Sequence, residues 1–97
     1  MNITYIAERR LVISDKNNLN KKTEIFIKIG APYWIVDNIE AACPVAIEGL
    51  VENIEPIRGI DFIDSMRIAI QFIDDLLRSI LENKNIEWLS GESYFEG

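Results

Sequence analysis

Apolar side chains recur with helical spacing over residues 61–83, the longest regular pattern in the chain. They fall three and four residues apart, which places them on one face of an α-helix. They are Met66, Ala69, Ile70, Ile73, Leu76, Leu77, Ile80 and Leu81, and Phe62 and Ile63 join this face from the first turn. Asp61 offers an N-cap acceptor, and Asp64 complements the positive end of the helix dipole. The pattern predicts one amphipathic helix over residues 61–83.

Two bulky residues disturb the polar side of this helix. Ile68 falls among polar side chains, and Phe72 lies at the edge of the apolar arc. Either a loop or a second helix covers them, or they form an exposed apolar patch for a partner.

Shorter segments before the helix alternate apolar and polar residues with the period of β-strands. Residues 3–14 and 23–29 predict two strands joined by a polar hairpin loop, which favours antiparallel pairing. Residues 42–51 predict a third strand. Pro44 lacks an amide donor, so it requires a sheet edge, a strand start or a bulge there. Residues 57–60 predict a brief fourth strand.

Two segments give a weaker pattern. Residues 31–41 are bulky and apolar but interrupted by turn residues, so a strand, a helical turn and an ordered loop all remain open. After the helix, Ile86, Trp88 and Leu89 form an apolar cluster that packs back on the domain, and residues 90–97 are predicted to fray.

These elements predict a single α+β domain over residues 1–97. Residues 1–60 form an antiparallel sheet of about four strands, and the long C-terminal helix packs across one of its faces. A chain of 97 residues with 48% hydrophobic content can bury a core without disulfide bonds or a structural metal ion.

The composition favours a cytoplasmic protein. No apolar run reaches the roughly 20 residues of a membrane span, and charged residues near the N-terminus argue against an export signal. Cys43 is the single cysteine, which suits a reducing compartment, and its apolar surroundings predict an inert core thiol.

Charge is distributed unevenly along the chain, which has a net charge of −6. Residues 1–30 hold six basic and three acidic side chains, whereas residues 31–66 hold seven acids and a single arginine. Such an acidic region repels nucleic acid and attracts cationic proteins, or else it simply maintains solubility. The seven acids are Asp37, Glu40, Glu48, Glu52, Glu55, Asp61 and Asp64.

The sequence offers no clear catalytic machinery. There is no histidine to act as a general base or a metal ligand, and no glycine-rich phosphate loop. Carboxylate pairs such as Asp61 with Asp64 are interpreted as a solvated helix face rather than a metal site. The sequence therefore predicts a non-enzymatic protein without metal or cofactor.

Two neighbouring aromatic residues are candidates for interface anchors. Tyr33 and Trp34 combine large apolar rings with polar atoms, a type enriched at binding hot spots. Alternatively, Trp34 closes one end of the core. With the seven acids they make up the predicted partner-binding set.

Four segments resemble a family of short, uncharacterised bacterial domains. The segments are YIAERRLVI at residues 5–13, IFIKIGAP at 25–32, CPVAIEGL at 43–50 and IRGIDFIDSMRIAIQFIDDLL at 57–77. The shared pattern is an I-A-E-R strand, an I-G-x-P strand end, a C-P-x-x-I-x-G-L strand and a G-x-D entry into a long helix. The resemblance implies a fold rather than an activity.

The chain is also similar, in size and acidity, to immunity proteins of toxin–antitoxin pairs, including contact-dependent growth-inhibition systems. That resemblance implies a small protein that neutralises a toxin domain, often a basic nuclease, by occluding its active site. The alternative hypothesis is a homodimerising structural module. A small ligand between sheet and helix is a third possibility, which no sequence feature supports. Binding to nucleic acid or membrane is not expected.

Overall fold

The computed structural model describes residues 3–95, which form two antiparallel sheets and one helix. The larger sheet has the strand order β5-β2-β1-β7 and the smaller has the order β3-β4-β6. The elements are β1 (Tyr5–Asp15), β2 (Asn18–Gly30), β3 (Tyr33–Val36), β4 (Glu40–Cys43), β5 (Val45–Glu48), β6 (Ile57–Gly59), α1 (Phe62–Ser79) and β7 (Lys84–Glu87). The predicted α+β class, with a four-stranded antiparallel sheet and a helix across one face, is confirmed.

Strands β1 and β2 form the predicted hairpin, but they extend much further than expected. Leu11 pairs with Ile25, and pairing continues as far as Asp15 with Asn18. The polar hairpin loop predicted between the strands was therefore wrong, because only a two-residue turn separates them. The register shifts between Ser14 and Asp15, and this irregularity accommodates the extra residues of β2.

The predicted third strand is two strands that belong to different sheets. Pro44 separates β4 from β5, and its carbonyl accepts a hydrogen bond of 2.8 Å from the amide of Gly30. Because proline has no amide to donate, the ladder breaks there and the chain passes from one sheet to the other. The segment over residues 31–41 supplies β3, the turn after it and the start of β4.

The helix is shorter than predicted and is not the last element. It ends at Ser79 rather than at residue 83, and the amides of Asn83 and Lys84 donate to the carbonyl of Ile80 at 3.1 and 2.9 Å. The chain then enters β7, which pairs with the end of β1. Ile86 is buried in the core, which explains why so short a polar segment becomes a strand.

Residues 90–95 fold back instead of fraying. The amide of Tyr94 donates to the carbonyl of Ile86 at 3.0 Å, and Ser93 bridges to Glu87. Tyr94 and Phe95 pack against the core, and this contact offsets the polarity of the segment. Residues 96 and 97 of the predicted tail lie outside the described part of the chain.

The core lies between α1 and the inner face of the larger sheet. Leu11, Ile25, Ile47 and Leu77 are fully buried within it, and so is the thiol of Cys43. Each lies on a face that the period of its strand or helix directs inward.

The buried stripe of α1 runs through residues four apart: Ser65, Ala69, Ile73 and Leu77. Phe62, Ile63 and Ile70 were predicted to lie in the apolar face, but they fall outside this stripe and are 38%, 78% and 53% exposed. Ile68 and Phe72 are half-buried, and Phe72 packs against the core.

Candidate protein-interaction site

Three aliphatic side chains are exposed where the β3–β4 turn, β6 and the start of α1 meet. Val36, Ile39 and Ile60 line one shallow depression, and Ile39 and Ile60 are 68% and 70% exposed. We call these three residues the end patch. Glu40, Asp64 and Arg58 line the same depression, so an apolar surface is bordered by two carboxylates and one guanidinium.

A tight turn presents Ile39. The amide of Ile39 donates to the carbonyl of Val36 at 2.9 Å, and Asn38 within the turn has a φ of 56°. Asparagine tolerates this left-handed conformation better than most residues. The turn therefore leaves an isoleucine between polar neighbours, where the fold does not bury it.

Close packing of β6 on α1 places Ile60 at the surface. A Cβ on Gly59 would lie 2.5 Å from the amide nitrogen of Ser65, so only glycine allows this approach. The amide of Ile60 donates to the carboxylate of Asp64 at 3.0 Å. This bond fixes the junction between strand and helix beside the end patch.

Asp61 and Asp64 organise the start of the helix. Asp61 is the predicted N-cap, and its carboxylate accepts from the amide of Asp64 at 2.7 Å. Asp64 accepts from the amide of Ile60 and from the Arg67 guanidinium, the latter at 2.7 Å. These two hydrogen bonds, with the amide of Ile60 contributing most, lower the pKa of Asp64 below its ordinary value.

The lowered pKa of Asp64 predicts a specific loss of stability in acid. A carboxyl group whose folded pKa is depressed stabilises the fold fully above its unfolded pKa, and this contribution is lost as the pH falls through the folded pKa. We expect the difference in unfolding free energy between wild type and Asp64→Asn to be largest near pH 7 and to shrink below about pH 4. Urea titrations across this range measure it, with the exposed Glu82→Gln as control. A difference independent of pH would contradict the assignment.

The other predicted acids divide among three places. Glu40 pairs with Arg58 at 3.5 Å beside the end patch, whereas Glu48 pairs with Lys28 at 3.1 Å on the larger sheet. Asp37 lies in the β3–β4 turn. Glu52 and Glu55 are exposed in the loop between β5 and β6, and within residues 3–95 neither forms an ion pair. The structure thus gathers Asp37, Glu40, Asp61 and Asp64 at one end, without Glu48.

The predicted aromatic anchors lie in β3 and are half-buried. The ring of Trp34 packs on that of Phe62, with centroids 4.6 Å apart and planes tilted by 34°. Trp34 therefore joins β3 to the start of α1. The more exposed apolar surface comes from the end patch, which sequence reasoning did not select. The available signal was an isoleucine isolated between turn residues, once after Asn38 and once after Gly59.

The outer face of the larger sheet is a less suitable binding surface. Arg10 lies 3.6 Å from Glu8 and 3.9 Å from Glu24, and Lys22 lies 3.7 Å from Glu87. Such exposed charge ladders interact well with water and with one another. The end patch offers apolar area that no part of residues 3–95 covers.

A metal-binding cluster and a reactive thiol are two chemical features that can be assessed in the described residues. Over residues 3–95, no group of three acidic or cysteine side chains converges to hold a metal ion. Burial raises the pKa of the Cys43 thiol, which disfavours the reactive thiolate. An exposed apolar patch with polar borders is typical of protein-binding surfaces.

No family model matches the chain, and neither curated proteins nor solved structures gave a match. The resemblances drawn from the sequence therefore stay predictions. Within the described range, the one helix is too short and too polar to cross a membrane.

Proposed function

We propose that this chain is a non-catalytic bacterial immunity protein that binds a cognate toxin domain in the cytoplasm and occludes its active site. The observation that carries the proposal is the end patch, where exposed aliphatic side chains lie beside carboxylates. A basic nuclease is the class of toxin that fits this surface, because such an enzyme presents cationic groups around its substrate site.

The apolar and the acidic side chains at this surface contribute to toxin binding in different ways. Val36, Ile39 and Ile60 supply the desolvated centre of the interface, where most binding energy usually resides. Asp37, Glu40, Asp61 and Asp64 form its rim, with Tyr33 and Trp34 behind it. Rim charges raise the association rate and select a cationic partner, but they add less to the affinity.

The remaining predicted acids act at longer range. Glu52 and Glu55 are exposed and carry charge that no ion pair within residues 3–95 neutralises. They contribute to a negative potential that steers a basic domain towards this protein. Glu48, Glu40 and Asp64 contribute less to this potential, because Lys28, Arg58 and Arg67 lie 3.1, 3.5 and 2.7 Å from them.

Co-expression tests the proposal directly. The partner to use is the C-terminal domain of the protein encoded beside this chain. We expect that domain to be toxic alone and harmless with this chain, and we expect a stoichiometric complex that survives moderate salt. A harmless domain, or a toxic one that this chain neither binds nor neutralises, would overturn the proposal.

A second copy of the chain is the alternative occupant of the end patch, as in the homodimer hypothesis. Analytical ultracentrifugation of the chain alone distinguishes the two. We expect a monomer whose mass does not depend on concentration. A dimer that dissociates on replacing Ile39 and Ile60 by serine would favour self-association instead.

A further inference from the structure

A second apolar surface lies further along α1 than the end patch. It is a groove between α1 and the end of the β1–β2 hairpin that is opposite the turn, where β1 begins and β2 ends. Its volume is about 300 Å³. The floor is aliphatic and is formed by Ala7, Ile27, Ile29, Ile70 and Ile73. The exposed flank of Ile70 belongs to this groove. Glu8, Arg9, Asp74 and Tyr94 form its polar rim.

The groove exists because the larger sheet is incomplete at this edge. β7 pairs with β1 only from Val12 to Asp15, so the preceding half of β1 has no neighbour on that side within residues 3–95. The chain after β7 forms its own bridge between Glu87 and Ser93, and it reaches this half of β1 through the side chains of Trp88 and Tyr94. Tyr94 therefore borders the groove, but no described strand pairs with this half of β1 to fill it.

Arg9 contacts two aromatic side chains at the rim of the groove. Its guanidinium donates to the hydroxyl oxygen of Tyr94 at 2.7 Å. Its Cζ lies 5.1 Å from the ring centroid of Trp88 and 5.6 Å from that of Tyr94. Contacts of this kind attract the cation to the aromatic faces and orient it before any ligand arrives. A preorganised cation loses little conformational freedom on binding.

Among residues 3–95, no carboxylate lies within 4 Å of the Arg9 guanidinium. In the described residues, the other four arginines each lie within 4 Å of a carboxylate. The two acids of the rim are already engaged: Glu8 with Arg10 at 3.6 Å and Asp74 with Arg78 at 3.8 Å. Arg9 is therefore the one charged residue lining the groove that has no oppositely charged group within 4 Å among the described residues.

We propose that this groove binds a small monocarboxylate with an aliphatic body. The carboxylate pairs with the Arg9 guanidinium, whose planar donors suit that group. The aliphatic body lies on Ile27, Ile70 and Ile73. The volume is at the lower end of the roughly 300–1,000 Å³ typical of ligand sites, which favours a medium chain over a long lipid. No residue of the end patch takes part, so this site is independent of the immunity proposal.

Calorimetric titration with octanoate tests the site. We expect saturable binding with one site per chain. Arg9→Gln should weaken it about tenfold or more, because a charge-assisted hydrogen bond is lost. Arg58→Gln is the matched control, since Arg58 pairs with Glu40 beside the end patch and does not line the groove. We expect this control to bind octanoate as the wild type does.

Arg9→Gln also removes the contacts of Arg9 with Trp88 and Tyr94, so two further measurements test octanoate binding without changing Arg9. Ile70→Asn changes a partly exposed floor residue and leaves the Arg9 cluster intact, and it should also weaken octanoate binding. Octanol, which has the same chain without charge, should bind at least about tenfold more weakly than octanoate. Absence of saturable octanoate binding, equal affinity for octanol, or equal losses in Arg9→Gln and Arg58→Gln would overturn the proposal.

Discussion

Replacing Leu77 by alanine should lower the free energy of unfolding by about 2–5 kcal/mol. Leu77 is fully buried and lies on the central stripe of α1, where it belongs to the core cluster with residues of the larger sheet. Truncation removes apolar contacts and leaves a cavity that a packed core fills only in part. Urea unfolding followed by circular dichroism measures the change.

Ile63→Ala is the matched control for Leu77→Ala. It removes an aliphatic side chain from the same helix, but Ile63 is 78% exposed. Surface substitutions usually change the free energy of unfolding by less than about 0.5 kcal/mol. Similar losses in the two variants would mean that the apolar face of α1 does not pack as described.

Replacing Gly59 by alanine should destabilise the protein by about 1–3 kcal/mol, although the change adds only one methyl group. The new Cβ would lie 2.5 Å from the amide nitrogen and 2.7 Å from the Cα of Ser65. Both are backbone atoms, which move only if β6 separates from the start of α1. The same separation would stretch the bond from the amide of Ile60 to Asp64, so the loss extends to the helix start.

Ile60→Ala separates this backbone effect from a loss of side-chain packing. It changes the next residue, whose side chain is largely exposed, and it should leave the free energy of unfolding within about 0.5 kcal/mol of wild type. Thermal unfolding of both variants measures the difference. Gly59→Ala as stable as Ile60→Ala would contradict the close approach of β6 to the helix.

The helix was predictable because local signals agree there. Asp61 caps the first turn as its position suggests, and the three- and four-residue spacing identifies the face that holds Ala69, Ile73 and Leu77. The end of the helix was not predictable, since the apolar spacing continues through Ile80 and Leu81. The chain leaves the helix there because Lys84 pairs with Asp15 and Ile86 fills the core.

The sheets were less predictable because strand pairing depends on distant residues. Alternation identified β1 and β2, but it gave no sign that β4 and β5 enter different sheets at Pro44. β7 has four residues, too few to establish a period. Its place beside β1 follows from tertiary contacts that no local pattern encodes.

The candidate site was predictable in charge but not in shape. The predicted acidic region included Glu40 and Asp64, which the fold brings to one depression, and also Glu48, which the fold places on another surface. Ile39 and Ile60 are far apart in the sequence and meet only because β4 lies between β3 and β6. Arg9 likewise approaches Tyr94 only in the folded chain.

The affinity of the purified chain for the neighbouring toxin domain tests the central claim most directly. Ile39→Ser with Ile60→Ser should weaken binding about 100-fold or more, because each residue is expected to behave as a hot spot. Ile70→Ser with Leu89→Ser removes comparable exposed aliphatic area elsewhere and should bind as wild type does. Unchanged affinity in the end-patch variant, or an equal loss in both variants, would contradict the claim that this protein engages its partner through the end patch.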